Sequence, residues 1–408
     1  MVSVRLGGGG MRVANTTIRA VNGLTARWAE VTNGGTAFSA PGVWPLLAFL
    51  ADGAADTARS ELEESLGVPA GRAAAAAREL LAGLGAVRGL EAALGLWTGR
   101  ALELRGEWTA ALPAGAHGVL TGDAGADGPA LDAWAAKRTG GLIERMPVAV
   151  TPETELVLAS ALALRTRWLK PFDETYLAPE HGPWQGRELR GLERRSVLLD
   201  RIGVADTPGG HVTELKVLGD TAVDVHLLLG EEGMTPGGVL GVGVGILADS
   251  RRVTPGSRLP YGEAGPGLVV GRERTPTPRP PTLDVTTVAY GVTSDHDLLE
   301  HSGVFGLTAA SRPVPGHFPD ISAYPLSVDT ARQSALARFD ASGFEAAAVT
   351  AVGMIAGGLL ELRWLSTTVR AVFDRPFGFL AVHRHSRLVL AAGWVDDPEP
   401  YREDEFVH

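Results

Sequence analysis

Apolar residues recur at helical spacing in the first third of the chain and alternate, or run unbroken over short spans, in the remainder. "FSAPGVWPLLAFLADGAADTARSELEESLG" predicts a helix over about Val43 to Leu50, stopped by the glycine of "DGA", and a second from Asp56 to a stop at Gly67. "RAAAAARELLAGLGAV" is rich in the best helix formers. "GPALDAWAAKRTGGLIERM" places Leu131 and Trp134 on one face of a further helix that stops at Gly140 and Gly141.

Strand signals dominate later. "TELVLASALALRTRW" (154–168) is continuously apolar and then alternating, the pattern of a long strand buried on both faces near its start. "TAVDVHLLLG", "LSTTVRAVF", "PFGFLAVHRH" and "RLVLAAGWV" predict shorter strands, the last two flanking His385, Ser386 and Arg387 as a hairpin. Residues 230–282 are punctuated by glycine and proline and read as irregular connections within a domain rather than as a linker. "GFEAAAVTAVGMIAGG" (343–358) stays undecided: alanine favours helix, and the Val-Thr-Ala-Val half favours strand.

Composition narrows the function classes. At 45% hydrophobic and 21% charged residues the chain can bury a sizeable core and does not look disordered. A formal charge of -10, with no long Lys/Arg cluster, argues against nucleic acid as a partner. The absence of cysteine excludes disulfides and thiolate chemistry. No apolar run is long enough to suggest a membrane span, and "MVSVRLGGGG" lacks a signal-peptide core, so no membrane partner and a cytoplasmic location are expected. Met11 is an equal candidate start, and residues 1–14 read as a disordered or mis-assigned extension.

Chemical motifs are weak. "GVGVGI" (241–246) has the wrong spacing for a dinucleotide loop and reads as a loop or a glycine-tolerant strand. His383 and His385 share a strand face, but no further ligands lie nearby and an exposed hairpin end is expected. Asp123 and Asp127 lack calcium-loop spacing and read as a turn. The acids of "DDPEPYREDE" read as a solvated tail. No nucleophile elbow, nucleophile-base pair or metal-ligand set can be assembled, so the protein is not expected to be an enzyme and no cofactor is expected.

The order of several segments resembles the serpin family, protease inhibitors that trap their targets by a conformational change. "GTAFSAPGVWPLLAFLADGAADTARSELEESLG" is similar to the family's early helix pair after a short buried strand, and "LDAWAAKRTGGLIERMP" to the helix preceding the long central strand. "LVLASALALRTRWLKPFD" resembles that strand, ending in its breach tryptophan, Trp168. "FPDISAYPLSVDTARQSALARFDASGFEAAAVTAV" is similar to the strand leading into the reactive-centre hinge, and "VFDRPFGFLAVHRHSRLVLAAGWVDDP" to the C-terminal strands. The resemblance spans about residues 15 to 398 and is thinnest over 230–282.

It implies a mixed α+β serpin fold, about three β-sheets surrounded by eight to nine helices, with an exposed reactive-centre loop. One domain over 15–398 and an acidic tail over 399–408 follow. The hinge is Gly343, Phe344, Glu345, Ala346, Ala347, Ala348, Val349 and Thr350, which enters the central sheet as a strand after cleavage; small side chains enter a packed sheet without forcing neighbours aside. Family spacing from Gly343 places the reactive bond at Gly357-Gly358, with Arg363-Trp364 as the alternative. Ser39 with Gly42, Ser160 and Gln333 take the positions of the family's polar shutter. The implied function is a suicide-substrate inhibitor of a serine protease with a shallow, elastase-like or subtilisin-like pocket, acting as a monomer; many family members are extracellular. Phe344 stands where the family usually has a hydroxyl, at an expected overpacking cost of about 1–3 kcal/mol. That departure favours the alternative, a non-inhibitory binding or carrier protein whose loop is only a substrate.

Overall fold

The computed structural model describes residues 11–148, 150–152, 154–344 and 364–402. Among them are eight α-helices and three sheets, the mixed α+β architecture expected. Four helices open the chain: α1 (Asn15–Val31), α2 (Ala40–Asp52), α3 (Asp56–Leu66) and α4 (Ala70–Gly85). In α1 the buried Ile18, Val21, Leu24, Thr25 and Trp28 recur at spacings of three and four, which places them along one stripe. α2 is capped by Ser39, whose Oγ accepts from Gly42 N, and is buried from Ala40 to Ala51. α3 ends on Gly67 at φ 66°, a left-handed cap that glycine adopts without strain. α5 (Gly106–Ala111), α6 (Ala124–Arg138), α7 (Pro236–Leu247) and α8 (Ser302–Phe305) lie between strands.

The first sheet runs β1 (Thr36–Phe38), β20 (Leu388–Val395), β19 (Phe377–His383), β10 (Val223–Gly230), β9 (Gly210–Leu218), β8 (Ile202–Thr207) and β11 (Val253–Pro255). β10, β19 and β20 are buried at every residue, because this sheet forms the molecule's middle layer. The second sheet runs β12 (Gly262–Gly265), β13 (Leu268–Thr275), β18 (Trp364–Val372), β14 (Thr282–Val288), β7 (Leu189–Ser196) and β6 (Asp173–Leu177). The third runs β3 (His117–Leu120), β2 (Leu90–Gly99), β4 (Leu156–Leu164), β16 (Thr330–Phe339), β17 (Gly343–Phe344) and β5 (Thr166–Arg167), with β15 (Tyr290–Asp297) also paired to β16. β4 is buried throughout, as its continuous apolar run predicts. No helix among the described residues is long and apolar enough to cross a membrane.

Several local expectations are corrected. "GVGVGI" is neither loop nor strand but the second half of α7, started by Thr235, whose hydroxyl accepts from Gly238 N. Packing overrides propensity here: a Cβ on Gly243 would lie 2.4 Å from Leu228 Cδ1, so glycine lets α7 press onto β10. Residues 230–282 hold α7 and β11 to β13 and lead into β14, so they are far more regular than their punctuation suggests. The helix containing Leu131 begins at Ala124, within the stretch read as a turn. Asp123 caps it by accepting from Gly125 N, and the buried Asp127 accepts from Thr121 N, Thr121 Oγ1 and Gly122 N. His383 is buried at 7% exposure and bonded to Ser386 Oγ at 2.8 Å, so only His385 is an exposed hairpin end. The C-terminal acids are not simply solvated: Glu399 pairs with Arg190 at 3.0 Å, and Tyr401 N donates to Glu188 O.

Candidate functional site

The third sheet contains a fork. In its lower part β4 pairs directly and in parallel with β16, from Val157 opposite Thr330 to Leu162 opposite Ala335. In its upper part the two part company, and β17 lies between their continuations, with Phe344 opposite Phe339 of β16 and Thr166 of β5. The turn from β16 to β17 is "DASG": Asp340 Oδ1 accepts from Ser342 N at 2.8 Å, Ser342 Oγ at 3.0 Å and Gly343 N at 3.0 Å. An aspartate that bonds forward to its own backbone is a turn signal legible in sequence.

Each residue at the fork has a reason. A Cβ on Gly343 would stand 2.5 Å from Thr166 O, so only glycine lets β17 approach β5 this closely. Trp168 holds the turn: its N donates to Ser342 O at 3.0 Å and its Nε1 to Asp340 O at 2.9 Å, while Phe172 N donates to Ala341 O at 2.7 Å. Phe344 is 1% exposed and faces Phe379, ring centroids 6.3 Å apart. Around it Phe339 contacts Trp168 (4.8 Å), Phe172 (5.7 Å) and Tyr290 (5.3 Å, stacked), and Tyr290 contacts Phe379 (5.4 Å). The ring that departs from the family pattern thus has aromatic company already in place. Burial pushes the Tyr290 hydroxyl well above the usual tyrosine range, and the oxygen has no hydrogen-bond partner.

Lower down, where β4 and β16 are directly paired, a polar cluster spans the seam. Ser160 and Gln333 are register partners, both 0% exposed, and Gln333 Nε2 donates to Ser160 Oγ at 2.9 Å. The same amide donates to Ser39 O at 2.9 Å and accepts from Ser39 N at 2.7 Å, and Ser39 Oγ donates to Leu390 O at 2.7 Å. Gly42 is the fourth member by proximity: a Cβ there would lie 3.0 Å from Gln333 Nε2. The structure therefore brings Ser39, Gly42, Ser160 and Gln333 together, whereas Trp168 belongs to the fork above.

Sequence reading missed His296, opposite Gln333 on β15, whose Nε2 donates to Ala37 O at 2.8 Å. Burial lowers its pKa, against the opposing bond to Ala37. Nothing local in "SDHDLLE" marks this histidine as half-buried; its register opposite Gln333 does.

Of the other expected site residues, Glu345, Ala346, Ala347, Ala348, Val349, Thr350, Gly357, Gly358 and Arg363 lie outside the described residues. Trp364 opens β18 opposite Thr275, 51% exposed. Among the described residues no group of three or more His, Cys, Asp or Glu side chains is placed to hold a metal ion.

The serpin (serine protease inhibitor) family model matches residues 14–181. No curated protein sequence matches the chain. Three solved structures are similar in fold. Tengpin, a thermophilic serpin in its native state, is 14% identical with a TM-score of 0.71, over 94% of this chain and 93% of that one. Human thyroxine-binding globulin is 16% identical with a TM-score of 0.69, over 94% and 98%. Native protease nexin-1, crystallised with heparin, is 13% identical with a TM-score of 0.68, over 94% and 99%. The resemblance read from the sequence is borne out: residues 14–181 match the serpin family model, and the chain has the serpin fold.

Proposed function

We propose that this protein is an inhibitor of a serine-type endopeptidase that acts as a suicide substrate. The observation that carries the reading is the fork: Gly343 and Phe344, the start of the hinge, already stand as a strand between β5 and β16. The target's serine hydroxyl attacks the Gly357 carbonyl carbon, the Gly357-Gly358 peptide bond breaks, and the Gly358 amine leaves with a proton, so an ester joins protease and hinge. Freed at one end, Glu345 to Thr350 extend β17 into the seam. Pairs between Val157–Leu162 and Thr330–Ala335 separate, and each strand pairs with the incoming one instead. Water must reach the ester before insertion is complete for the protease to escape.

Glycine at the reactive bond offers nothing to a deep specificity pocket, which favours a protease with a shallow, elastase-like or subtilisin-like site. Gly357-Gly358 is preferred to Arg363-Trp364 because Trp364 is the first residue of a paired strand. The protein supplies no catalytic group and uses no cofactor. It acts as a monomer, with one domain over 15–398 and a short acidic tail over 399–408.

A second reading, a non-inhibitory binding protein, is favoured by Phe344 as a departure from the family hinge, and a similar fold is found in a thyroxine-binding protein. Seating of Phe344 against Phe379 weighs against it, since the ring is already accommodated at the head of the slot. Incubation with subtilisin, elastase, chymotrypsin and trypsin in turn, followed by denaturing gels and mass spectrometry, separates the two. A denaturation-resistant band at the summed mass, with a released peptide beginning at Gly358, supports the inhibitor; clean cleavage by every protease without such a band supports the second reading.

A further inference from the structure

Residues 262–275, within the stretch where the family resemblance is thinnest, add a hairpin to the second sheet. β12 pairs with the start of β13, from Gly262 opposite Val270 to Gly265 opposite Leu268. β13 continues past β12 and lies along β18, with Leu268 opposite Ala371 and Thr275 opposite Trp364. On its other edge β18 meets β14 only from Thr368, opposite Thr282, to Val372, opposite Thr286. The first residues of β18, Trp364 to Thr367, therefore have β13 as their one strand partner among the described residues. Trp364 and Leu365 are 51% and 63% exposed, so main-chain pairing rather than apolar packing holds them.

Side chains fasten the hairpin to the strand. Tyr261 Oη lies 3.0 Å from Thr367 Oγ1, and the Arg272 guanidinium sits over the Tyr261 ring, 4.4 Å from its centroid. Glu273 pairs with Arg370 at 3.1 Å. Ser366 Oγ donates to Pro280 O at 3.1 Å, which ties β18 to the "TPTPRPP" run that leaves β13. Val372 N donates to Gly267 O at 2.8 Å. A Cβ on Gly267, at φ 60°, would stand 2.2 Å from Val372 O, so glycine lets the hairpin turn seat against the end of β18.

The uncut chain joins Phe344 of β17 to Trp364 of β18 through residues 345–363. While both ends are held, an uncut hinge can run down the seam only as far as that span allows. Each residue released from β18 lengthens it by about 3.4 Å, so freeing Trp364 to Thr367 adds about 13 Å. We propose that the β12–β13 hairpin is a clasp that pins the start of β18 to the second sheet and so keeps an uncut hinge from extending between β4 and β16. The clasp rests on the insertion reading above. It governs how long the uncut protein stays uninserted, not whether a cut hinge inserts.

Two full-length variants test it. Glu273→Pro/Arg274→Pro alters exposed residues of β13 beyond the reach of β12. Successive residues point their N–H groups to opposite sides, so one of the two prolines removes an N–H that faces β18. Arg274→Cys/Leu365→Cys joins register partners by a disulfide in a chain that has no cysteine of its own. Each uncut protein is held warm below its melting midpoint and sampled for melting temperature, with mass spectrometry confirming that the loop is intact. The proline variant is expected to convert to a higher-melting form at least tenfold faster than the parent. The oxidised cysteine variant is expected to convert at least tenfold more slowly than the same protein reduced, and it decides alone should the proline variant fail to fold. Equal rates in these comparisons, with a cut parent that melts above the uncut one, would overturn the clasp and leave insertion standing. A cut parent that melts no higher would overturn the insertion reading, and the clasp with it.

Discussion

Phe344 stands directly opposite Phe339 across the turn of residues 340–343, so the strand that precedes the hinge and the first residues of the hinge are antiparallel partners in one sheet. The ring of Phe344, buried against Phe379, wedges the fork at its upper end. Phe344→Ala removes it and leaves a cavity among Phe339, Phe379 and their neighbours. A loss of about 3–5 kcal/mol is expected for a large aromatic truncated in a packed core. Denaturant unfolding of the intact protein measures it; a loss within about 0.5 kcal/mol, as for a surface site, would show that the ring does not brace the fork.

Ser160→Ala removes the one side-chain bond that, among the described residues, crosses the seam between β4 and β16, Gln333 Nε2 to Ser160 Oγ. The intact protein is expected to lose about 1–3 kcal/mol, because the buried Gln333 amide is left with one N–H unpaired. The cleaved form is expected to be unaffected, because insertion parts these strands. Equal losses in both forms would mean that the seam does not open there.

Gly343→Ala places a methyl 2.5 Å from Thr166 O and forces β17 away from β5. A cost of about 1–3 kcal/mol is expected from overpacking. If the variant unfolds at the parent's denaturant midpoint, β17 is not held against β5 as closely as described.

Much of this was legible beforehand and some was not, for physical reasons. The continuous apolar run of β4 and the β19–β20 hairpin announce themselves because burial on both faces leaves no other pattern. The cluster of Ser39, Gly42, Ser160 and Gln333 was approachable only through resemblance, since no spacing joins residues so far apart. α1 was overlooked although its apolar positions have helical spacing, and α7 was misread because its helix exists through contacts, not propensity. The burial of His383 and the partial burial of His296 depend on which strand lies next door, and periodicity along one strand carries no such information.

Stability falls with acidity in two windows. Burial, the first cause for both, lowers the pKa of His296 and His383, while an unfolded histidine titrates near about 6.5. Their contribution is complete above that value and is lost as pH falls through the lowered folded values, because the unfolded chain takes up protons first. Glu214, also lowered, adds a second loss below about 4.3, the unfolded glutamate value. Denaturant midpoints at about pH 7.5 and 5.5 are expected to fall, and His296→Asn to flatten part of the slope. Equal midpoints in the parent would contradict burial of neutral imidazoles.

Thermal unfolding before and after a single cut in the loop at Gly357-Gly358 addresses the insertion mechanism itself. Each main-chain hydrogen bond gained along Glu345 to Thr350 contributes about 1 kcal/mol net. At about 1 °C for each kcal/mol in a domain of this length, the cut protein is expected to melt about 5 °C or more above the intact one. An unchanged or lower midpoint after complete cleavage would mean that the hinge stops at Phe344 and that this serpin fold does not inhibit by insertion.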